Sequence, residues 1–385
     1  MANRFWVGGS GTWNNTTTTN WSATSGGAGG ASAPTTGDTV FFDANSGTAA
    51  TITVAATAVS AATTVDKSDI NLNLSGSPTL CVAAGTFTLT SGALALNTYT
   101  LTVGRFSSNN TNVRTIAFGT GNITLSGNNA SIIGMATVTG LTITGTPVFN
   151  STYAGATGTR TLRFGNTAGG SSAVSVSLNV TAGTDILNFG GYYKTINLTG
   201  YKGAGATTVG AYVYINLIFD SGMTYSGAAG ILFSAMSGTQ QITTNGITLD
   251  CPLYADGIGG TFAFQDALTQ GSTRAFTITN GTVQLKNGVT STVGAFVTSG
   301  ANQKFLQSTV LGSQATLSEV NGTVDASYLT IRDINATGGA TWNAFVNQSN
   351  VDAGNNDGWD FGISPVIGGA EYTYQLRSFT QPRRF

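Results

Sequence analysis

Short segments in which an apolar residue alternates with threonine or asparagine recur along the whole chain. The clearest of them read TFTLT (86–90), TYTLTV (98–103), NITLSG (122–127), GLTITG (140–145), TINLTG (195–200), GITLD (246–250), AFTITNG (275–281) and YLTIRD (328–333). An apolar residue at every second position is typical of a β-strand with one buried face, and most of these segments end in glycine or aspartate, which favour turns. The sequence therefore predicts one strand-and-turn motif used many times.

The spacing of these segments is roughly 15 to 20 residues, which is close to one turn of a solenoid and shorter than a propeller blade. The links between them, such as 165–173 and 201–211, are too short and too rich in glycine to be crossover helices. Two all-β folds remain, a parallel β-helix and a series of stacked antiparallel β-sandwich modules. Sandwich modules are expected to be separated by linkers, but the six prolines form none, so we predict a single parallel β-helix.

The composition fits an all-β chain with a substantial core. Only 8% of the residues are charged and 41% are hydrophobic, and the 20 Phe, 12 Tyr and 5 Trp argue against a disordered chain. Good helix formers are scarce, since Glu319 and Glu371 are the only glutamates. Because the coils of a β-helix stack, we expect like residues on neighbouring coils to form threonine hydroxyl and asparagine amide ladders.

Charge and missing residue types exclude several classes of function. The net charge is −1 and the basic residues are scattered singly up to the last nine positions, so no basic stripe for nucleic acid is expected. No window approaches the roughly 18 consecutive apolar residues of a membrane span, and the N-terminus lacks the apolar segment of a signal peptide. The chain has no histidine, which excludes Ser-His-Asp and Cys-His catalysis and histidine metal sites. We expect neither a metal nor a cofactor.

Large aromatic residues concentrate near the two ends of the chain. All five tryptophans lie in the first 21 or the last 44 residues. A β-helix has an open edge at each end that must be covered, and we predict that these rings form hydrophobic caps. We accordingly divide the chain into an aromatic and glycine-rich cap (1–47), a parallel β-helix (48–361) with a terminal cap near 339–361, and a C-terminal tail (362–385).

The two ends of the chain resemble glycine-rich, repetitive β-helix proteins of bacteriophage virions and of bacterial surfaces. The resemblance rests on RFWVGGSGTWNNTTTTNWSATSGGAGGASAPTTGDTVFFDANSG (4–47) and SEVNGTVDASYLTIRDINATGGATWNAFVNQSNVDAGNNDGWDF (318–361). It implies a right-handed parallel β-helix that forms elongated homotrimers on a particle surface, and it carries over no catalytic residue. The missing export signal favours a phage protein over a bacterial one.

The function expected from this resemblance is that of a non-enzymatic virion protein, made in the host cytoplasm and displayed on the particle surface. A tail fibre or spike that contacts host surface glycans is the first reading, and a capsid decoration or head-spike protein is nearly as well supported. Because the β-helix signature begins at Arg4, any anchor to other virion proteins is expected in the tail. There, Arg377, Arg383 and Arg384 are docking candidates that could pair with carboxylates, and the alternative is a solvated terminus.

Carboxylates are the remaining candidates for catalysis, because a polysaccharide depolymerase can act with an acidic pair. Asp250, Asp256 and Asp266 are the best candidates, and Asp220 is a weaker one. On a solenoid, Asp250 and Asp266 could lie one coil apart on the same face, and one of the pair would need a pKa raised by burial. The alternative, which we favour, is that these aspartates end strands and cap turns.

A cluster of tyrosines in the sequence can be interpreted in two ways. It consists of Tyr192, Tyr193, Tyr201, Tyr212 and Tyr214. These side chains could form an exposed patch that stacks on sugars or joins protomers, or they could pack one face of the solenoid.

Two other features are expected to be structural. Cys81 and Cys251 are too few for a disulfide scaffold, and we expect both to be buried thiols. The segment VDAGNNDGWDF (351–361) is rich in aspartate and asparagine but lacks the ligand order and the glutamate of an EF-hand calcium loop. We predict that it is the last turn of the solenoid.

Overall fold

The structure, a computed structural model, describes residues 1–82, 84–128, 130–165 and 175–364. Strands account for 50% of the structure and helix for 1%, in the form of a short 3-10 helix at Val346–Gln348. The chain winds through about 14 turns of a β-solenoid. Each turn passes in order through up to three stacks of strands, which we call stacks A, B and C.

The strands are assigned to the stacks by their pairing. Stack A contains β1 (Asn3–Trp6), β4 (Thr39–Phe42), β6 (Ala62–Val65), β8 (Thr86–Leu89), β11 (Arg105–Ser107), β14 (Ile133–Met135), β17 (Thr159–Phe164), β21 (Thr224–Ser226), β24 (Thr248–Asp250), β26 (Thr269–Gln270), β28 (Thr290–Val293), β31 (Ala315–Glu319) and β34 (Ile334–Gly338). Stack B contains β2 (Gly11–Trp13), β5 (Thr51–Val54), β7 (Asn71–Leu74), β9 (Gly92–Ala95), β12 (Arg114–Ala117), β15 (Leu141–Thr144), β22 (Ile231–Phe233), β29 (Ala295–Thr298), β32 (Thr323–Asp325) and β35 (Thr341–Asn343). Stack C contains β10 (Thr100–Val103), β13 (Asn122–Leu125), β16 (Val148–Ser151), β18 (Val176–Val180), β23 (Thr239–Thr243), β30 (Lys304–Ser308), β33 (Leu329–Arg332) and β36 (Val351–Asp352).

Four long strands bend around a corner and belong to more than one stack. They are β19 (Ile186–Asn197), β20 (Ala204–Ile218), β25 (Leu253–Phe264) and β27 (Ala275–Leu285). A further short strand, β3 (Trp21–Ser22), lies outside the stacks and pairs with β1.

The pairing confirms a parallel β-solenoid and excludes the sandwich alternative. Every strand pair in the described ranges is parallel except β1 with β3. Most coils are longer than the spacing of the sequence motifs indicated: Phe87 pairs with Thr63, 24 residues earlier, and Ile133 with Phe106, 27 residues earlier. The spacing was underestimated because two alternating segments can belong to one coil, as β8 and β10 do.

The interior follows the alternation seen in the sequence. Most four-residue strands bury their second and fourth side chains, as β10 does with Leu101 and Val103, both at 0% exposure. On the outer side of stack C, asparagines form a ladder: the Asn150 amide donates to Oδ1 of Asn122 at 3.1 Å, and the Asn179 amide donates to Oδ1 of Asn150 at 2.9 Å. The amide stacking expected from the composition is therefore present.

An aromatic cluster covers the N-terminal end. Trp6, Trp13 and Trp21 are each fully buried, with ring centroids 5.0 Å apart for Trp6–Trp21 and 5.8 Å apart for Trp13–Trp21. Phe42 packs against all three rings. Strands β1 and β4 lie within the predicted cap and pair in parallel, so the cap is built on the first coils.

A second aromatic cluster covers the C-terminal end. The rings of Trp342 and Trp359 lie 5.0 Å apart, and each lies 6.3 Å from Phe296. Single β-bridges join Asp357 to stack A and Asp360 to stack B, so this segment is a last partial coil. Aromatic caps at both ends are thus confirmed.

No helix among the described residues has the length and apolar character needed to cross a membrane.

Candidate functional site

Asp250 ends β24 and is engaged by an arginine on the next coil. Nε of Arg274 lies 2.7 Å from Oδ1 of Asp250. The hydrogen bond from Arg274 lowers the pKa of the Asp250 carboxyl. A general acid in glycoside hydrolysis needs a raised pKa. Asp250 is therefore suited to joining coils and not to donating a proton.

The three candidate aspartates lie at three different corners of one coil. Asp250 lies where stack A ends, and Asp256 is exposed between stacks B and C, where it accepts a hydrogen bond from the Asn280 amide at 2.6 Å. Asp266 lies between stacks C and A and accepts the backbone N–H groups of Thr244 at 2.9 Å and Asn245 at 2.5 Å. The prediction that Asp250 and Asp266 share a face is wrong, because a coil is longer than the 16 residues between them.

Asp220, the weaker candidate, is bound on several sides. It pairs with Lys202 and accepts the N–H groups of Gly200 at 2.7 Å and Gly222 at 2.8 Å. Burial alone would raise the pKa of Asp220, but these hydrogen bonds lower it to about 2. The side chain closes a turn, as the alternative reading of the aspartates predicts.

Three of the five candidate tyrosines are buried. Tyr193 and Tyr201 are each 0% exposed and Tyr192 is 2% exposed. The Tyr193 hydroxyl donates to the Leu162 carbonyl at 2.7 Å, and the Tyr201 hydroxyl donates to the Ala204 carbonyl at 3.0 Å. Burial raises the pKa of Tyr193 and of Tyr201. The exposed-patch reading is wrong for these three residues, which pack the core.

Tyr212 and Tyr214 are half-buried on the outer side of β20. The rings of Tyr192 and Tyr212 lie 5.2 Å apart. Burial, together with the neighbouring Tyr192 and Tyr212, raises the pKa of Tyr214 to about 12. These two tyrosines are the only members of the predicted patch that reach the surface.

A row of exposed apolar side chains begins beside Tyr214, at the corner between stacks B and C. Ile215, Met236 and Ile258 are 46%, 63% and 60% exposed and lie on three successive coils. A groove of about 330 Å³ runs between Lys194, Tyr214, Ile215 and Met236. We call Lys194, Tyr214, Ile215, Met236 and Ile258 the B–C ridge.

Single exposed apolar residues are ordinary on a protein surface, whereas a contiguous apolar patch is a candidate interaction site. Sequence reasoning missed the ridge because Met236 and Ile258 stand alone in glycine-containing links. The available signal was an isolated large apolar residue at the same place in successive links.

Arg114 is a buried cation that the sequence did not single out. It is 1% exposed, and its five N–H groups donate to oxygens of Ser108, Asn112, Thr137 and Thr139 at 2.6 to 2.8 Å. Thr137 and Thr139 belong to the next coil. Arg114 therefore joins two coils through their corner carbonyls.

Two more buried cations act in the same way. Arg160 forms a bidentate pair with Asp185, with both N–O distances 2.8 Å and both side chains 0% exposed. Lys304 is 0% exposed and donates to the carbonyls of Gly300 at 3.1 Å and Ser327 at 3.2 Å. Burial lowers the pKa of the Lys304 ammonium.

The aspartate-rich segment 351–361 forms turns in place of an ion site. Oδ1 of Asp352 accepts the Gly354 N–H at 2.9 Å and the Asn356 amide at 2.6 Å, while Oδ1 of Asn356 accepts the Ile334 N–H at 3.0 Å. Within the described ranges, no group of three His, Cys, Asp or Glu side chains is placed to hold a metal ion. The segment is the last turn of the solenoid, as predicted.

The two cysteines and the three arginines of the tail are the remaining predicted residues. Cys81 and Cys251 are buried free thiols, as expected, and burial raises the pKa of both. The docking candidates Arg377, Arg383 and Arg384 lie outside the described residues.

Comparison with known proteins gives no match: no family model, no curated protein and no solved structure is significantly similar to the chain.

Proposed function

We propose that this chain is a non-enzymatic structural protein on the surface of a phage particle, where it serves as a stiff tail fibre or spike that contacts the host envelope. The observation that carries the proposal is the continuous solenoid of about 14 turns. At about 4.8 Å per coil, its length is about 65 Å. A rod of this kind holds whatever it displays at a fixed distance from its base.

Buried cations that hydrogen-bond to a neighbouring coil support this mechanical role. Arg114, Arg160 and Lys304 each bind groups on a neighbouring coil from inside the protein. A buried cation is costly unless every donor is satisfied, and removal of one partner leaves a large penalty. Such residues resist sliding or separation of the coils, which suits a rod that transmits load.

The positions of the carboxylates disfavour the depolymerase alternative. An inverting pair needs carboxyl groups about 6.5 to 9.5 Å apart and a retaining pair about 5 to 5.5 Å apart, with one pKa raised. Asp250, Asp256 and Asp266 lie at separate corners and each is engaged by its own partner.

The location on the particle is the decisive test. Particles of the phage that encodes this chain should be labelled with gold-conjugated antibodies against it and imaged by electron microscopy. We expect label at the tail. Label on the capsid would replace the fibre reading by a capsid decoration protein, and particles without label would overturn the proposal.

A second measurement addresses the absence of enzymatic activity. The purified chain and its Asp250→Asn variant should be incubated with host envelope polysaccharide, and reducing ends should be counted. We expect no release above buffer from either protein. Release by the unmodified chain that Asp250→Asn abolishes would establish a depolymerase and overturn the non-enzymatic part of the proposal.

A further inference from the structure

We propose that the B–C ridge is the contact surface between two copies of this chain, which pair antiparallel about a two-fold axis. The inference does not depend on the proposed virion role, since it rests on the ridge and on Asp256 beside it. The ridge occupies four successive coils, with Lys194 at one end and Ile258 at the other.

The spacing of the ridge favours a second copy as the partner. Ile215, Met236 and Ile258 recur once per coil, which is a step of about 4.8 Å. A surface with the same repeat can place an apolar side chain against each of them and into the groove beside Met236. A second copy of the ridge has this repeat, and isologous contacts of one patch with itself are the commonest arrangement in homo-oligomers.

The charges along the ridge determine the relative orientation of the two copies. Lys194 lies one coil before Ile215 and has no salt-bridge partner among the described residues. The exposed Asp256 carboxylate lies two residues before Ile258. A two-fold axis between the levels of Ile215 and Met236 places Ile215 against the partner's Met236. The same axis places Lys194 against the partner's Asp256.

A parallel arrangement, such as the trimer that the resemblance implies, would act against these charges. Copies side by side at equal height would bring each Lys194 close to another Lys194 and each Asp256 close to another Asp256. Like charges in contact across an interface are unfavourable, and opposite charges set register. The antiparallel pair satisfies both charges and keeps the apolar contacts of Ile215 and Met236 at its centre.

Sedimentation experiments on the full chain can test the pair. The ridge is small, so we expect a weak dimer, with a Kd on the order of 10 µM. Met236→Asp, which buries a charge at the centre of the contact, should give a monomer at all concentrations tested. Val113→Asp is the matched control, because Val113 is 77% exposed at the corner between stacks A and B; this variant should dimerise like the unmodified chain.

Exchanging the two charges tests whether Lys194 of one copy contacts Asp256 of the other, as the antiparallel pair requires. Lys194→Glu and Asp256→Lys should each raise the Kd at least about tenfold, because each places like charges in contact. The double variant restores opposite charges and should return to within about threefold of the unmodified chain. Circular dichroism spectra and melting temperatures should be unchanged in all variants that are compared.

Three results would overturn the proposal. One is a monomeric mass for the unmodified chain at concentrations up to about 50 times the expected Kd. Another is a trimeric mass, which would favour the parallel arrangement. The third is a double charge variant that associates no better than the two single variants.

Discussion

Buried cations are the residues that tie neighbouring coils together most directly. Where strand pairing is interrupted at a corner, the corner carbonyls need other donors. Arg114 donates four N–H groups to such carbonyls and a fifth to the Ser108 hydroxyl, and Lys304 supplies its ammonium to three carbonyls. No other side chain offers five N–H donors in one plane, as the arginine guanidinium does. At these positions a single side chain therefore holds two neighbouring coils together.

A buried carboxyl provides a pH-dependent prediction. Glu319 is 5% exposed and accepts the Phe296 N–H at 2.8 Å, and burial raises its pKa above the ordinary 4.5. Its contribution to stability is therefore fully present below the ordinary pKa and is lost as the pH rises through the raised value. We therefore expect Glu319→Gln to be more stable relative to the unmodified chain at about pH 7 than at about pH 4, which means a larger difference in the free energy of unfolding in favour of the variant.

Urea denaturation at both pH values measures this difference. Asp220→Asn is the control, since the Asp220 pKa is lowered to about 2 and its stabilisation is lost only as the pH falls from the ordinary 3.8 towards that value. This variant should therefore show nearly the same stability relative to the unmodified chain at both pH values. The interpretation fails if Glu319→Gln shows the same relative stability at both pH values.

At the scale of strands and turns, the close approach of successive coils determines which residues a corner accepts. Gly191 lies in β19 where the chain passes from stack A to stack B, with a φ of 106°. A Cβ atom at this position would lie 1.8 Å from the Phe164 carbonyl oxygen of the preceding coil. Only glycine fits both the backbone conformation and the space.

We therefore expect Gly191→Ala to lower the free energy of unfolding by about 3 to 5 kcal/mol, because the coils must separate locally and the backbone is strained. Gly9→Ala is the matched control, since a Cβ atom there has no neighbour within 4 Å. It should change stability by less than about 0.5 kcal/mol. Urea denaturation followed by circular dichroism compares the two, and equal midpoints would contradict the steric argument.

Strands and corners differ in how far the sequence predicts them. Alternation with period two identified β8, β10 and β13 and the buried side of each, because one buried face imposes that pattern. Corners have no such period: they are glycine- and serine-rich links whose length varies from coil to coil. For that reason the relation of Asp250 to Asp266 was predicted wrongly, and Met236 was overlooked.

At the scale of the whole molecule, each coil contacts mainly the coils before and after it. In such an array, stability is approximately a sum of coil and neighbour contributions, and the ends have fewer neighbours than the middle. All five tryptophans lie at the ends, where Trp6, Trp13 and Trp21 pack together on one side and Trp342 and Trp359 on the other. Tryptophan fluorescence therefore reports on the ends alone.

This arrangement predicts two different unfolding transitions. In urea, tryptophan fluorescence should change at a lower concentration than the β-sheet signal in circular dichroism, because end coils separate before the central ones. A variant with both Trp342 and Trp359 replaced by phenylalanine would report on the N-terminal end only. Coincident transitions for both signals would instead indicate that the solenoid unfolds as one cooperative unit.

The short strand β3 has a consequence for fibril elongation. Repetitive β-sequences with asparagine ladders can recruit further chains onto a free strand edge, as in amyloid. At the first coil, however, β4 pairs with one edge of β1 and β3 pairs antiparallel with the other. At this end of the molecule, β3 thus closes the free edge of stack A against the addition of a further strand.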